Sequence, residues 1–174
     1  MTAKRTMARK NEAPCWSSEI INANRELNIL HALKNYEPPF RILRNYHLVD
    51  DGVEPEATIV LRAGGKEIHE ADTGVGPVDA LANALKKALK PAFSFIDEVR
   101  LIDFSARIYE SRIGTKASVE VTVILGDGTE VWKVSEASRN INQASFYALA
   151  GGYEYAIVHR ERQERRSRPA RKKP

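Results

Sequence analysis

The chain contains one sequence pattern twice, and this repeat limits its possible folds more than any other feature. Residues 57–85 align without a gap on residues 121–149. Identical residues coincide in this register at Thr58 and Thr122, Leu61 and Leu125, Gly64 and Gly128, Ala80 and Ala144, Ala84 and Ala148, and Leu85 and Leu149. Two copies of one supersecondary unit predict a pseudo-symmetric domain in which each half buries the apolar face of the other.

Each copy is preceded by a further apolar segment, at residues 41–49 and 99–107, so that each unit is predicted to contain three strands and a helix. Alternation of apolar residues over 119–125 is typical of a half-buried strand. Glycine-containing pairs at 64–65 and 127–128 supply the positive φ that a tight hairpin turn needs. One side of the second unit's first strand is predicted to consist of Ile102, Phe104, Ala106 and Ile108. The fold class is therefore predicted as α+β, with two βββα units.

The helix of unit one is predicted at 77–90, where apolar residues recur at helical spacing until Pro91 ends the helix. The helix of unit two is predicted from about 142 to 158. Residues 17–36 also show helical spacing but have no repeat partner, which indicates a linker helix. The predicted organisation is a disordered basic N-terminus at 1–16, a linker helix at 17–36, a folded domain at 37–158 with unit one at 40–93 and unit two at 97–158, and a disordered basic tail at 159–174.

Composition supports a single folded domain of 174 residues, with 43% hydrophobic and 29% charged residues. No apolar run reaches the roughly 18 to 20 residues that cross a bilayer, so no membrane association is expected. The basic N-terminus is not followed by the apolar stretch of a secretory signal. The single cysteine, Cys15, excludes an internal disulfide framework and fits a reducing compartment. We therefore expect a cytoplasmic protein.

The positive charge is concentrated at the C-terminus. Residues 160–174 contain eight Arg or Lys and two Glu, whereas the whole chain has a net charge of only +4. Such a tail could bind nucleic acid by releasing counterions, or could be a solvated terminus that aids solubility. No aromatic residue is interleaved with the charges to stack on bases, which disfavours a nucleic-acid partner.

The sequence contains no convincing active site. The four histidines are scattered, without a second His or Cys at ligand spacing, and Cys15 has no basic neighbour to lower its pKa. Gly74, Gly76 and Pro77 enter a helix and could cradle a phosphate, but the glycine and lysine positions of known phosphate loops are missing. A tight strand-to-helix turn explains these three residues. The sequence therefore predicts no catalytic residues, no metal site and no cofactor.

Several segments together resemble a known family. The segment GVGPVDALANAL at 74–85 resembles the Gly-x-Gly-Pro-Val-x-Ala motif in the C-terminal regulatory domain of α-isopropylmalate (2-isopropylmalate) synthases and citramalate synthases. Residues 56–72 are similar to the preceding hairpin of that family. Segments of unit two follow in the family's order at 99–108, 114–123 and 132–155. The resemblance covers about residues 36–158 and is closer to the citramalate-type enzymes.

The chain also departs from that family. Val75 replaces the usual Asn or Asp, Phe104 replaces a common Tyr, and 135–139 replaces a glycine-containing stretch. The catalytic part of these enzymes is a (β/α)₈ barrel of about 250 residues, with a metal held by a His-x-His pair. The sequence has neither the length for a barrel nor a His-x-His pair. No turnover is expected from the chain on its own.

The resemblance implies a domain that dimerises and binds a branched-chain amino acid as feedback effector. In the family the effector lies near the dimer interface, against the first strand of the second unit and the strand after it. Transferred to this chain, the effector-binding residues are Leu101, Phe104, Ile108, Ala117 and Ser118. A small aliphatic ligand does suit an apolar pocket with backbone groups for its charged ends. The alternative is that Phe104 and Ile108 are ordinary core residues.

Three functions remain compatible with the sequence. The first is a regulatory subunit that pairs with a separate catalytic synthase subunit and confers sensitivity to leucine or isoleucine. The second is a free-standing dimer that senses branched-chain amino acids for another output. The third is a nucleic-acid-associated protein that uses the basic tail, with the domain as a dimerisation scaffold.

Overall fold

The structure is a computed structural model that describes residues 19–108 and 118–167, and it has the predicted α+β architecture of two βββα units. The elements in chain order are β1 (Ile21–Asn22), α1 (Ala23–Ala32), β2 (Phe40–Val49), β3 (Glu56–Ala63), β4 (Lys66–Thr73), α2 (Pro77–Leu89), a 3₁₀ turn (Ser94–Glu98), β5 (Arg100–Ile108), β6 (Val119–Gly126), β7 (Val131–Ser138) and α3 (Ile141–Ser167). Within the described residues, no helix is both long and apolar enough to cross a membrane.

Each unit forms its own antiparallel sheet. Unit one has the strand order β2-β3-β4, and unit two has the order β1-β7-β6-β5, in which β1 pairs in parallel with β7. The hairpins turn at the positions that the repeat predicts. Gly64, Gly65 and Gly128 adopt the positive φ values that these tight turns need. The alternating pattern therefore predicted both hairpins correctly.

One hydrophobic core joins the two units. Helix α2 packs on β3 and β4, helix α3 packs on β6 and β7, and the two helices contact each other. Ile59 and Leu61 of β3 are fully buried, as are Val123 and Leu125 of β6. A Cβ at Gly152 of α3 would overlap the side chain of Leu125, so any larger residue there would displace that buried leucine. The repeat thus places equivalent apolar residues on both sides of the helix pair.

The predicted linker helix at 17–36 is partly wrong. Helix α1 begins only at Ala23, because the two residues before it pair with the edge strand β7. Asn24 extends this pairing, since its amide nitrogen donates to the Ser135 carbonyl at 2.8 Å and its amide oxygen accepts from the Ser135 N–H at 2.7 Å. Helical spacing in the sequence cannot reveal the unpaired backbone groups of a distant strand edge.

The predicted disorder of the tail from residue 159 is also wrong, because α3 continues to Ser167. Basic residues of this last stretch pair with acidic residues elsewhere: Arg162 contacts Glu26 of α1, and Arg160 lies 3.6 Å from Glu98. These partners are remote in sequence, so the charge run alone suggested a solvated segment. The predictions for 1–16 and for 168–174 lie outside the described residues.

Candidate effector site

The first strand of unit two presents an apolar surface that its own unit leaves open. Among the described strands, β5 lies at one end of its sheet and pairs with β6 alone. On β6, the side chains of Val121, Val123 and Leu125 are buried beneath the helices. Directly paired residues of neighbouring strands lie on the same face, so their partners on β5 also point toward the helices. The apolar residues on this side, here called the β5 strip, are Leu101, Phe104, Ala106 and Ile108.

The β5 strip is incompletely covered. Ile108 is 66% exposed, Ala106 is exposed, and Leu101 and Phe104 are half-buried. The hypothesis that Ile108 is an ordinary core residue is therefore wrong for the described chain. Phe104 does pack against the margin of the core. An apolar strand face with this exposure is available to a ligand or a second protein surface.

A β-bulge determines which residues form the strip. The register between β5 and β6 shifts between Leu101 and Asp103, which leaves Ile102 as the extra residue. Our prediction that Ile102 shares a side with Phe104 is therefore wrong, and Leu101 takes that place. The Ile102 side chain lies over Gly126, where a Cβ would come within 2.7 Å of it. Strict alternation could not have shown that Leu101 and Phe104 lie on one face.

The five predicted effector residues do not form one compact cluster. Leu101 and Ile108 are near opposite ends of a nine-residue strand, so roughly 20 Å separates them. Ser118 is half-buried and precedes Val119, the partner of Ile108, so it belongs to the Ile108 end. Ala117 lies outside the described residues. A single amino acid cannot touch both ends of the strip, and Phe104 occupies its middle.

An open depression of about 510 Å³ adjoins the Leu101 end of the strip. Its polar lining consists of Glu98, Arg100 and the hairpin turn that contains Asp127. Although burial opposes it, hydrogen bonds from the backbone of Glu130 and from Thr129 hold the pKa of the Asp127 carboxyl below its usual value. The Asp127 carboxylate therefore already accepts hydrogen bonds within its own turn. Apart from its polar lining, the depression offers apolar contact through Leu101 and Ile102.

The glycine turn before α2 connects strand β4 to helix α2, as the sequence predicts for Gly74, Gly76 and Pro77. A Cβ at Gly74 would overlap the backbone nitrogen of Ala80, so the chain approaches itself too closely for another residue. Gly76 precedes Pro77, which begins the helix. The Asp79 carboxylate accepts a hydrogen bond of 3.0 Å from the Val75 N–H. Because that carboxylate already lies at the helix N-terminus, it would repel a phosphate there.

The sequence did not reveal a polar cluster between α1 and α3. The Glu154 carboxylate lies 2.7 Å from the His31 Nε2 and accepts a hydrogen bond of 2.7 Å from the Tyr36 hydroxyl. Burial and this hydrogen bond raise the pKa of the Tyr36 phenol. Glu154 is more than 100 positions from both His31 and Tyr36, so no local pattern indicates these contacts. Among the described residues, no group of three His, Cys, Asp or Glu could hold a metal.

Comparison with known proteins identifies the family. Residues 26–157, which contain the β5 strip, helix α2 and the first part of α3, match the LeuA allosteric (dimerisation) domain. The chain belongs to this family. The regulatory domain expected from the sequence motifs is thereby confirmed, and the LeuA domain spans the structure from within α1 to within α3.

The curated relatives are larger enzymes that contain such a domain. The chain is 38% identical over 118 residues to the (R)-citramalate synthase of Geobacter sulfurreducens, covering 68% of this chain and 22% of the enzyme. It is 35% identical over 122 residues to that of Aquifex aeolicus, covering 70% and 23%. The match to the Synechocystis enzyme, at 31% identity over 148 residues, covers 80% and 27%. The chain therefore spans about a quarter of the length of these relatives.

Proposed function

We propose that this LeuA domain binds leucine or isoleucine as a feedback effector on the β5 strip, dimerises, and regulates a separate catalytic synthase subunit. The observation that carries the proposal is the exposed apolar side of β5, centred on Phe104, in a domain where Ile59 and Leu61 of β3 and the β6 partners of the strip's first three residues are buried on the helix side. Burial of one branched aliphatic side chain there would contribute about 1.5–3 kcal/mol to binding.

The edge position of β5 supports an amino-acid ligand. The strand has a neighbour on one side only among the described elements, so backbone N–H and C=O groups on its other side are free of sheet partners. Such groups suit the carboxylate and the ammonium of an amino acid, while the strip supplies the apolar contact. A free amino acid therefore fits β5 better than a purely apolar ligand does.

The length of the strip supports a dimer. An amino acid can cover one part of the β5 strip, but roughly 20 Å of apolar strand face needs a larger surface. A second copy related by a two-fold axis is the commonest solution in soluble proteins. The effector would then lie beside the interface, where its binding can alter how the two copies pack.

The relatives support a catalytic partner. They are named (R)-citramalate synthases, and the chain matches only the part of them that corresponds to the regulatory domain. We therefore assign catalysis to a synthase subunit and effector sensing to this domain, in leucine or isoleucine biosynthesis.

The pairing of the C-terminal arginines disfavours nucleic-acid binding as the main function. Arg160 and Arg162 contact acidic residues of the domain, so these charges are partly neutralised. A free-standing sensor would differ from a regulatory subunit in lacking a synthase partner. Co-purification with a catalytic acyltransferase chain, and inhibition of that chain by the effector only when this domain is present, would distinguish the two.

A thermal-shift screen against leucine, isoleucine and valine tests effector binding directly. A ligand at 100 times its Kd should add about 2.7 kcal/mol to the free energy of unfolding. The D-enantiomers are the matched control, because they have the same apolar side chain but cannot place both charged groups on the β5 edge in the same way. Equal shifts with both enantiomers, or none with any of the three amino acids, would refute the proposal.

A further inference from the structure

Unit two carries an addition that has no counterpart in unit one. Strand β1 and helix α1, residues 21–32, are here called the arm. The arm covers the outer edge of β7, where β1 pairs in parallel with Trp132 and Lys133, and α1 also packs on α3. Without the arm, each unit would be a three-stranded sheet with one long helix. Detachment of the arm would therefore leave the strands and helix of each repeat in place.

One backbone amide of β7 reports directly on the arm. The Ser135 N–H donates to the Asn24 Oδ1 at 2.7 Å, so the acceptor of its hydrogen bond belongs to α1. When the arm detaches, this N–H loses its acceptor and can exchange with water. Val123 lies in β6, between two paired strands, and its amide is a reference for opening of the whole sheet. Local opening of the arm can therefore be measured apart from global unfolding.

A histidine lies where the arm meets α3. The His31 Nε2 lies 2.7 Å from the carboxylate of Glu154, whose side chain is only 12% exposed. The Tyr36 hydroxyl donates to the same carboxylate oxygen at 2.7 Å. Partial burial raises the pKa of the Glu136 carboxyl on β7, and the nearby charge of His31 offsets part of that rise. His31 therefore faces one carboxylate on α3 and a second on β7.

Protonation of His31 changes the charge of this contact. A neutral imidazole can still donate one hydrogen bond to Glu154. The protonated ring adds a positive charge beside two carboxylates, which favours the attached arm. Histidine ordinarily changes charge between about pH 5 and 8, whereas the second ion pair of the arm, Glu26 with Arg162, contains no histidine. Because protonation strengthens this attraction only while the arm is attached, a fall in pH toward 6 favours attachment.

We propose that the arm is a pH-dependent cover of the β7 edge, which detaches less often when His31 is protonated than when it is neutral. The buried side chains of Ala23, Leu27 and Leu30 keep the arm attached most of the time in either state, so the charge of His31 adjusts how often it opens. Detachment exposes backbone N–H and C=O groups of β7, and an uncovered strand edge can pair with another chain. This inference goes beyond the proposed function, since it involves neither the effector nor the β5 strip.

Hydrogen exchange at pH 6 and pH 8 tests the proposal. The readout is the protection factor of the Ser135 amide, which is corrected for the intrinsic effect of pH, with Val123 correcting for global stability. In the wild type the Ser135 factor should be roughly two- to fivefold higher at pH 6, the size expected for a partly exposed ion pair. Below about pH 5 this gain should disappear as the carboxylates lose their charge, Glu136 first because its pKa is raised. His31→Gln keeps a hydrogen-bond donor without a charge and should remove the difference between pH 6 and pH 8.

His159→Gln is the matched control, because the His159 Nδ1 lies 2.9 Å from the Glu130 carboxylate in a contact that includes no arm residue. This variant should keep the full pH dependence at Ser135. Equal wild-type factors at pH 6 and pH 8, or equal effects of the two histidine variants, would overturn the proposal. Glu154→Gln is a second test that leaves His31 intact, and it should reduce the pH dependence to less than half. Full pH dependence in Glu154→Gln would also overturn the proposal, even if His31→Gln failed to fold.

Discussion

The first strands of the two units, β2 and β5, come from one repeated pattern but have different surroundings. On β2, Tyr46 is covered by an aromatic side chain from α3, and Leu48 is half-buried. On β5, Ala106, the equivalent of Leu48, is exposed, as is Ile108 at the strand end. The repeat therefore determines the fold of both units, while a few side chains on the helices determine which strand remains available for binding.

The last strands of the two units, β4 and β7, also differ in how they are covered, but here the strand of unit two is the covered one. The outer edge of β7 is covered by β1 and α1, whereas its equivalent β4 lies at the end of its sheet. On β4, side chains of α2 bond to strand carbonyls, including Lys87 to the Ala71 carbonyl at 2.8 Å. Unit two thus has its last strand covered and its first strand open, which directs binding to β5.

The largest expected effect comes from removing the aromatic cover of β2. Phe146→Ala should lower the free energy of unfolding by about 3–5 kcal/mol, because it leaves a cavity in a fully buried position. Urea denaturation at constant m-value measures this loss. Tyr147→Phe, which removes only the exposed hydrogen bond to Asn45, is the matched control and should cost less than about 1 kcal/mol. A loss below about 1 kcal/mol for Phe146→Ala would contradict the close packing of the Phe146 ring on Tyr46.

A charge on the β5 strip should weaken the dimer without unfolding the chain. Ile108→Arg changes an exposed side chain, so the melting temperature should change little, while the dimer dissociation constant should rise by roughly ten- to a hundredfold. Sedimentation over a concentration series measures this constant. Val49→Arg, at an exposed apolar position at the end of β2, is the control and should leave it unchanged. Equal effects of the two variants would place the interface elsewhere.

The cover of the β7 edge should make a smaller contribution. Asn24→Ala removes both hydrogen bonds to the Ser135 backbone, and should cost about 1–2 kcal/mol of stability. Equilibrium denaturation gives the value, and faster hydrogen exchange at Ser135 should accompany it. If that amide exchanges as slowly in the variant as in the wild type, the side chain of Asn24 is not what protects the strand edge.

The sequence predicted the two βββα units, both hairpins and the glycine turn, because each depends on local patterns or on the repeat. It did not predict the bulge at Ile102, since a shifted register leaves no mark in simple alternation. The helical residues 159–167 were also missed, because their stability depends on acids such as Glu26 that are remote in sequence.

Hydrogen–deuterium exchange with and without saturating leucine or isoleucine tests the central claim most directly, because β2 is an internal control for β5. The effector should slow amide exchange in residues 100–108 and leave residues 40–49 unchanged. Protection of β2 equal to that of β5, or protection confined to other parts of the chain while the ligand is bound, would contradict an effector site on the β5 strip.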